Sequence, residues 1–545
     1  MEKRIFLAIL ISIGFLWLWA IIAPRLFPEL AKKPEPVKPA VTATSTASPV
    51  RPGATPVPAT IAPAPAGTAA PVAAQQVQRT VVDMPQYTAV FTNRGAQLVS
   101  FKLKTYTQKK SKVPVDLVKA REAHRTEYPF AIVPREAELN ALNSALWAVT
   151  DTTEKGQRVL QYRYSNGKVT ATKTFRFGQQ PYLFDFGVAV HPPSPYRVAV
   201  GPGIRTILPE EQDSNVVITG NGVVQVQDDF EIIAREGGTN LSVYPGTDYI
   251  GIEDNYFLTA LRPSHGGEGV LQRVAFFDGK AKVRRDDLYA GVNAHRDGVL
   301  AGQAFFGPKE TKLLDQYNMS QALQFGWFDP VARFFLKALL WINKATKNFG
   351  WAIIVLTILI KIVLYPLQHK QNVSMKKMQK VQPKVEAIKA KYKKSRTDPE
   401  QRNKMNVEMM QLYQKEGINP MAGCLPLIIQ LPILWGFYNL LSRAIELRGA
   451  PFMLWIQDLS EKDPYYITPI LMTATMFLQT YMMPATGDPA QRKIFLAMPL
   501  VFGFLFKDFP SGLVLYWLVQ NILTILQMWI MNKWWKDHPE DLSKA

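Results

Sequence analysis

The chain has 545 residues and a formal net charge of +19, with 63 Lys and Arg against 44 Asp and Glu. That length is too great for one compact core and points to several domains. The lone cysteine, Cys424, excludes an intrachain disulfide, argues against a Cys-based metal site, and reads as a small buried hydrophobe.

The basic balance fits nucleic acid, anionic lipid or the positive-inside bias of cytoplasmic loops, so the placement of the charge must decide. Lys3 and Arg4 precede an apolar run over residues 5–22, which as a helix would be about 27 Å long. Its far end carries Trp17 and Trp19 where a cleavage site would need small residues. Residues 1–24 therefore read as an uncleaved membrane anchor with a cytoplasmic N-terminus. Residues 25–79 are rich in Pro, Ala, Thr and Val, as in "ATPVPATIAPAPAGTAAPVAA". They hold too little bulky apolar surface to offset chain entropy and read as a disordered tether.

Over residues 80–321 the pattern has period two, as in "YTAVFTNRGAQLVSFKLKTY" and "RVLQYRYSNGKVTATKTFRF". With turn signals at Asn93-Arg94-Gly95 and Ser165-Asn166-Gly167, this predicts antiparallel hairpins building a large β-sandwich outside the cytoplasm. His124, His191, His265 and His295 are scattered without ligand-like spacing, so no metal site is expected there.

Residues 328–348 follow with Phe334, Phe335, Leu339, Leu340 and Ile342 largely on one helical side and Lys337, Lys344 and Lys347 elsewhere. This is a basic amphipathic helix, expected in the membrane interface, with packing on the soluble domain as the alternative. Five further apolar segments read as spans: 350–367, 421–441, 467–483, 494–506 and 513–531. The last four fall within residues 420–533, and a tail over 534–545 completes a six-span protein with both termini cytoplasmic. The segment 494–506 is short, roughly 20 Å, for a bilayer.

Residues 368–419 form the most basic loop and belong in the cytoplasm. Within them Met378, Val381, Val385, Ile388 and Tyr392 recur every three or four residues, Asp398-Pro399-Glu400 offers a helix start, and Met405, Met409 and Leu412 resume the pattern. That predicts a helical hairpin. Its lysines suit RNA or anionic headgroups, while the positive-inside rule accounts for them with nothing added.

Inside the spans, Lys361 stands out, since a lysine at mid-helix costs about 2.5–3.5 kcal/mol unless it snorkels. Thr357 lies one turn earlier on the same face. Gln520, Thr524 and Gln527 make a polar stripe on the last span that Trp517 continues, with Asn521 beside it, and Gln430, Gln479 and Thr480 add polar groups on two others. Singly these are interhelical glue; together, facing a lysine, they would line a hydrated cavity. Glu446, Asp458 and Asp508 all fall in loops, so Lys361 lacks an acid within the spans and is a candidate receptor for an acidic segment from another molecule.

The stretches "LYPLQHKQNVSMKKMQKVQPKV", "GINPMAGCLPLIIQLPI", "APFMLWIQDLSEKDPYYITPILM" and "FPSGLVLYWLVQNILTILQ", in this order of elements, resemble the YidC-type membrane protein insertases of Gram-negative bacteria over essentially the whole chain. The resemblance implies a multi-domain inner-membrane protein: a six-span helical bundle, five spans forming the core, with a large periplasmic β-sandwich. It implies a hydrophilic groove in which a positive residue receives the incoming protein, with Lys361 in that role and Thr357 beside it. This sequence has lysine where the family usually has arginine, which keeps the charge but loses the planar fork, and Trp517 where tyrosine is common. The family further implies contacts with nascent inner-membrane proteins, Sec translocon components, membrane lipids and the ribosome, the last through Lys376, Lys377, Lys380 and Lys384. No enzyme activity, cofactor, metal or DNA partner is expected. The rival readings are a secondary transporter with an anion site at Lys361 and an envelope protein acting on saccharides through the β-domain.

Overall fold

A computed structural model describes residues 70–108, 113–118, 128–134, 137–202, 204, 220–234, 240–264, 266–278, 283–392, 398–418, 425–483 and 489–537. The N-terminal anchor and most of the tether, His124, His265, Cys424, and Lys393, Lys394 and Arg396 lie outside these residues.

Among the described residues, seventeen strands form a sheet of four and a sheet of thirteen. The small sheet runs in chain order through Arg79–Asp83, Tyr87–Thr92, Gln97–Thr107 and Pro114–Asp116. In Tyr87–Thr92 the period-two pattern is realised directly: Tyr87, Ala89 and Phe91 are buried and the residues between them half-buried. These rings interleave with those of the large sheet, Phe91 with Phe175 at 4.6 Å and Phe101 with Phe306 at 5.4 Å between centroids. Two facing aromatic surfaces thus make the sandwich core. The two turn signals both close hairpins, Thr92 pairing with Gln97 and Ser165 with Thr170. Gly95 in the first turn has φ +69°, and a Cβ there would sit 2.5 Å from the Asn143 carbonyl oxygen, so only glycine fits.

Two buried lysines tie this domain together. Lys173, fully buried on the strand Thr170–Phe177, donates to the carbonyls of Gly95 (2.6 Å), Ala96 (3.3 Å) and Phe130 (2.7 Å). It joins the large sheet to the turn between the second and third strands of the small one, and its burial pushes its pKa down to about 7. Lys309 pairs with Glu253 at 3.0 Å, with only 4% and 6% of the two side chains exposed.

Among the described residues, eight α-helices follow. After α1 (Thr311–Gln316) comes α2 (Asp329–Thr346), which buries Ala332, Phe335, Leu336, Leu339 and Ile342 and exposes Phe334 and Trp341. Its buried side packs on α5 (Leu425–Arg443), with Phe335 and Phe437 ring centroids 4.7 Å apart. Gly436 permits this approach, because a Cβ there would meet Val331 at 3.0 Å.

Lys347, in the left-handed conformation, ends α2, and the Asn348 side chain caps the next helix by accepting from the amides of Gly350 and Trp351. That helix, α3 (Phe349–Lys391), has 43 residues and does not stop at Leu367 as the hydropathy suggested. It is about 64 Å long, so the second apolar segment and the first arm of the basic hairpin are one rod. Pro366 and Pro383 lie within it: each removes one helical hydrogen bond, yet proline φ is helix-compatible and the helix continues. The second arm is α4 (Pro399–Lys415), capped by Asp398, and Val381, Val385 and Ile418 form the small core between the arms.

The bundle is completed by α5, α6 (Ile467–Met482), α7 (Pro489–Phe506) and α8 (Ser511–Asp537). Among the described residues, two helical segments are long and apolar enough to cross a membrane, Phe349–Lys391 and Ser511–Trp535. The other three have 19, 16 and 18 residues, which gives about 24–29 Å. Helix α7 starts earlier than its apolar pattern because Pro489 suits a first helical turn.

The β-domain is docked on one end of this bundle. Glu446, in the loop after α5, accepts from both the amide and the hydroxyl of Thr311, and Arg443 donates to the Gln324 carbonyl. Burial raises the pKa of Glu446 even though the Thr311 donors oppose the shift.

Candidate functional site

Helices α3, α5, α6 and α8 surround a cavity of about 250 Å³. Lys361 is the single ionisable residue among those lining it. It is twelve residues from the start of α3, about 18 Å along the helix, and 8% exposed. Its ammonium donates to the Thr524 hydroxyl at 2.8 Å, and that hydroxyl donates to the Gln520 carbonyl one turn back. The cation is thus aimed at α8, whose Trp517, Gln520, Thr524 and Gln527 all line the cavity. Gln430 joins from α5 and donates to the Tyr516 hydroxyl at 2.6 Å.

Of the residues singled out in the sequence, Thr357 is the one placed elsewhere. It is fully buried, its hydroxyl donates to the Ile353 carbonyl at 2.6 Å, and it does not line the cavity. An i−4 back-bond satisfies it within its own helix. Conversely, Gln368, Gln371 and Asn372 line the cavity and were missed. They stand 7, 10 and 11 residues beyond Lys361, which is its helical face continued. The spacing carries that signal only because α3 runs on past Pro366.

The four hairpin lysines do not act alike. Lys384 bonds Glu416 across the hairpin at 2.7 Å, and Lys376 sits 6.0 Å from the Trp535 ring centroid. Lys380 is exposed and Lys377 half-buried.

The cavity is asymmetric. Toward the β-domain it is closed by fully buried apolar side chains, with Phe437 stacked on Tyr516 at 4.5 Å and Ile353, Leu441 and Leu513 around them. Toward the hairpin the polar wall continues through Gln368, Gln371 and Asn372.

Five buried amide atoms in the lining have no partner among the described residues: Gln368 Oε1, Gln371 Nε2, Gln479 Oε1, Gln520 Oε1 and Gln527 Oε1. Left dry, each would cost about 1–3 kcal/mol, together on the order of the whole net stability of a domain. The cavity is therefore built for water or for polar groups of a guest.

Two family models divide the chain between them: the YidC periplasmic domain matches residues 79–342 and the 60Kd inner membrane protein matches residues 341–538. A curated membrane protein insertase YidC of Geobacter metallireducens is 34% identical over 551 residues, covering 98% of each chain. One of Syntrophus aciditrophicus is also 34% identical, over 98% of this chain and all of the relative. A crystal structure of an active YidC insertase with its first transmembrane domain resolved aligns over 84% of this chain and 95% of that one, at 20% identity and a TM-score of 0.37, which supports nothing further.

Proposed function

The chain belongs to the YidC family of membrane protein insertases, and from that premise we propose how it inserts its substrates. It is an inner-membrane protein with a periplasmic β-sandwich, and its substrates are membrane proteins. The hydrophilic, acidic external segment of a substrate enters the cavity from the hairpin side and is held there by Lys361. One observation carries this reading: a lone ammonium in a polar cavity that is walled off on the β-domain side.

The magnitudes agree. A carboxylate at the centre of a membrane helix costs about 2.5–3.5 kcal/mol. An ammonium 4 Å away returns about 4 kcal/mol at an effective dielectric near 20. The cavity therefore lowers the barrier for an acidic tail without trapping it deeply.

The 16-residue helix α6 would thin the membrane locally and shorten the remaining path. The substrate's apolar segment then leaves along α5 and α7 into lipid, and its own partitioning supplies the driving free energy, so no nucleotide is consumed. In this scheme six spans put both termini in the cytoplasm. The basic hairpin meets the ribosome and nascent chain through Lys376, Lys377 and Lys380, with Lys384 engaged by Glu416, and the β-domain meets Sec translocon components.

The test is reconstitution of the purified chain alone into liposomes, scoring protease protection of the translocated acidic tail of a small single-span substrate. Protection above that in protein-free liposomes is expected. Its absence with folded, correctly oriented protein would overturn the claim that the chain acts without partners or nucleotide.

A further inference from the structure

A second cavity lies outside the groove, on the other side of α6. It is an open trough of about 790 Å³ between α6 and α7, floored by Thr473, Ala474 and Gly503 and walled by Ile470, Phe477 and Leu500. Gly503 brings the helices together, since a Cβ there would lie 2.1 Å from the Thr473 hydroxyl oxygen. That hydroxyl donates to the Pro469 carbonyl at 2.8 Å, leaving the floor without polar demand.

The mouth of the trough is different. Lys507 closes one end, its ammonium 4.3 Å from the Phe504 ring centroid and 3.9 Å from Asp508. Lys462 approaches the same Asp508 at 3.7 Å, so two cations share one carboxylate. This end is on the β-domain side of the bundle: the Glu461 carbonyl accepts from the Ser511 amide at the start of α8, and Gly512 packs on Leu441 near the end of α5.

We infer that this trough binds one phospholipid with an anionic headgroup, its phosphate at Lys507 and Lys462 and an acyl chain lying between α6 and α7. The trough follows α6 from Tyr466 to Phe477, about 16 Å, a length that suits an acyl chain lying against its apolar walls. Charge complementarity at the mouth selects an anionic headgroup over a zwitterionic one.

The experiment places the full-length protein in phosphatidylcholine liposomes doped with phosphatidylglycerol carrying a mid-chain diazirine, or with phosphatidylcholine carrying the same chain. After photolysis, labelled peptides are mapped by mass spectrometry. Phosphatidylglycerol is expected to label residues 466–477 and 500–507 roughly fivefold more than phosphatidylcholine, the factor that one surface lysine supplies. The exposed face of α8 at Ile522, Trp529 and Ile530 should show no such preference. Lys507→Gln should abolish the preference while the protein remains folded, and Ala474→Trp should reduce trough labelling by both lipids. Equal labelling of trough and α8, a headgroup preference that survives Lys507→Gln, or crosslinks from trough residues to protein rather than lipid would each overturn the inference.

Discussion

Replacing Gln520 and Gln527 by leucine separates a wet groove from a dry one. Both side chains are buried, both leave an amide oxygen without a partner among the described residues, and leucine is close to glutamine in volume. If the cavity were dry, removing two unpaired oxygens would stabilise the bundle by about 2–6 kcal/mol. For a bundle of this size that would raise the melting temperature by more than ~5 °C. If water already satisfies these atoms, the gain vanishes, and the account predicts a change within about 1 kcal/mol. Insertion of an acidic-tailed substrate should nevertheless fall at least tenfold, because about 1.4 kcal/mol of lost solvation for a passing polar tail is enough for that. Thermal unfolding of the purified variant in detergent and protease protection in liposomes read the two quantities. Marked stabilisation with unchanged insertion would refute the hydrated-groove argument.

Other outcomes follow from the β-domain and its buried cations. Glu253→Gln should cost about 3–5 kcal/mol by stranding the Lys309 ammonium, whereas Glu253→Leu with Lys309→Met should restore stability nearly to the parent value; a double variant as unstable as the sum of the singles would contradict this. For Lys173, burial sets the folded pKa near 7, well below the value near 10.4 of an unfolded lysine. Between those values the unfolded chain holds the extra proton, so stability should rise with pH across roughly 7 to 10 and level off on either side. Urea unfolding at several pH values, compared between parent and Lys173→Met, isolates this slope, and identical slopes would rule the assignment out. Lys384→Ala should change hairpin stability by less than about 1 kcal/mol, since its bond to Glu416 is solvent-exposed; hydrogen exchange in the hairpin checks it.

The parts of the fold legible in the sequence were those with a local period. Alternation in Tyr87–Thr92 and the glycines of two tight turns predicted hairpins that the structure contains, because strand facing and turn geometry depend on neighbouring residues. The stripe Gln520, Thr524 and Gln527 pointed to one wall of the cavity for the same reason. Hydropathy failed at Leu367, where polarity changes but helicity does not, and so it hid Gln368, Gln371 and Asn372. Spacing failed at Thr357, whose hydroxyl turns back to its own helix. Contacts between distant segments, such as Thr311 with Glu446 or Lys384 with Glu416, carry no local signature at all and come only from the folded chain.

The most direct test of the central claim crosses Lys361 variants with substrate charge. Insertion of one single-span substrate bearing an acidic, neutral or basic external tail is measured in liposomes with the parent chain, Lys361→Arg and Lys361→Glu. The account predicts that arginine retains insertion of all three and that glutamate lowers insertion of the acidic tail at least tenfold while sparing the basic one, as the loss of about 4 kcal/mol of attraction implies. Equal losses for acidic and basic tails would contradict a role for the charge and reduce Lys361 to a packing residue.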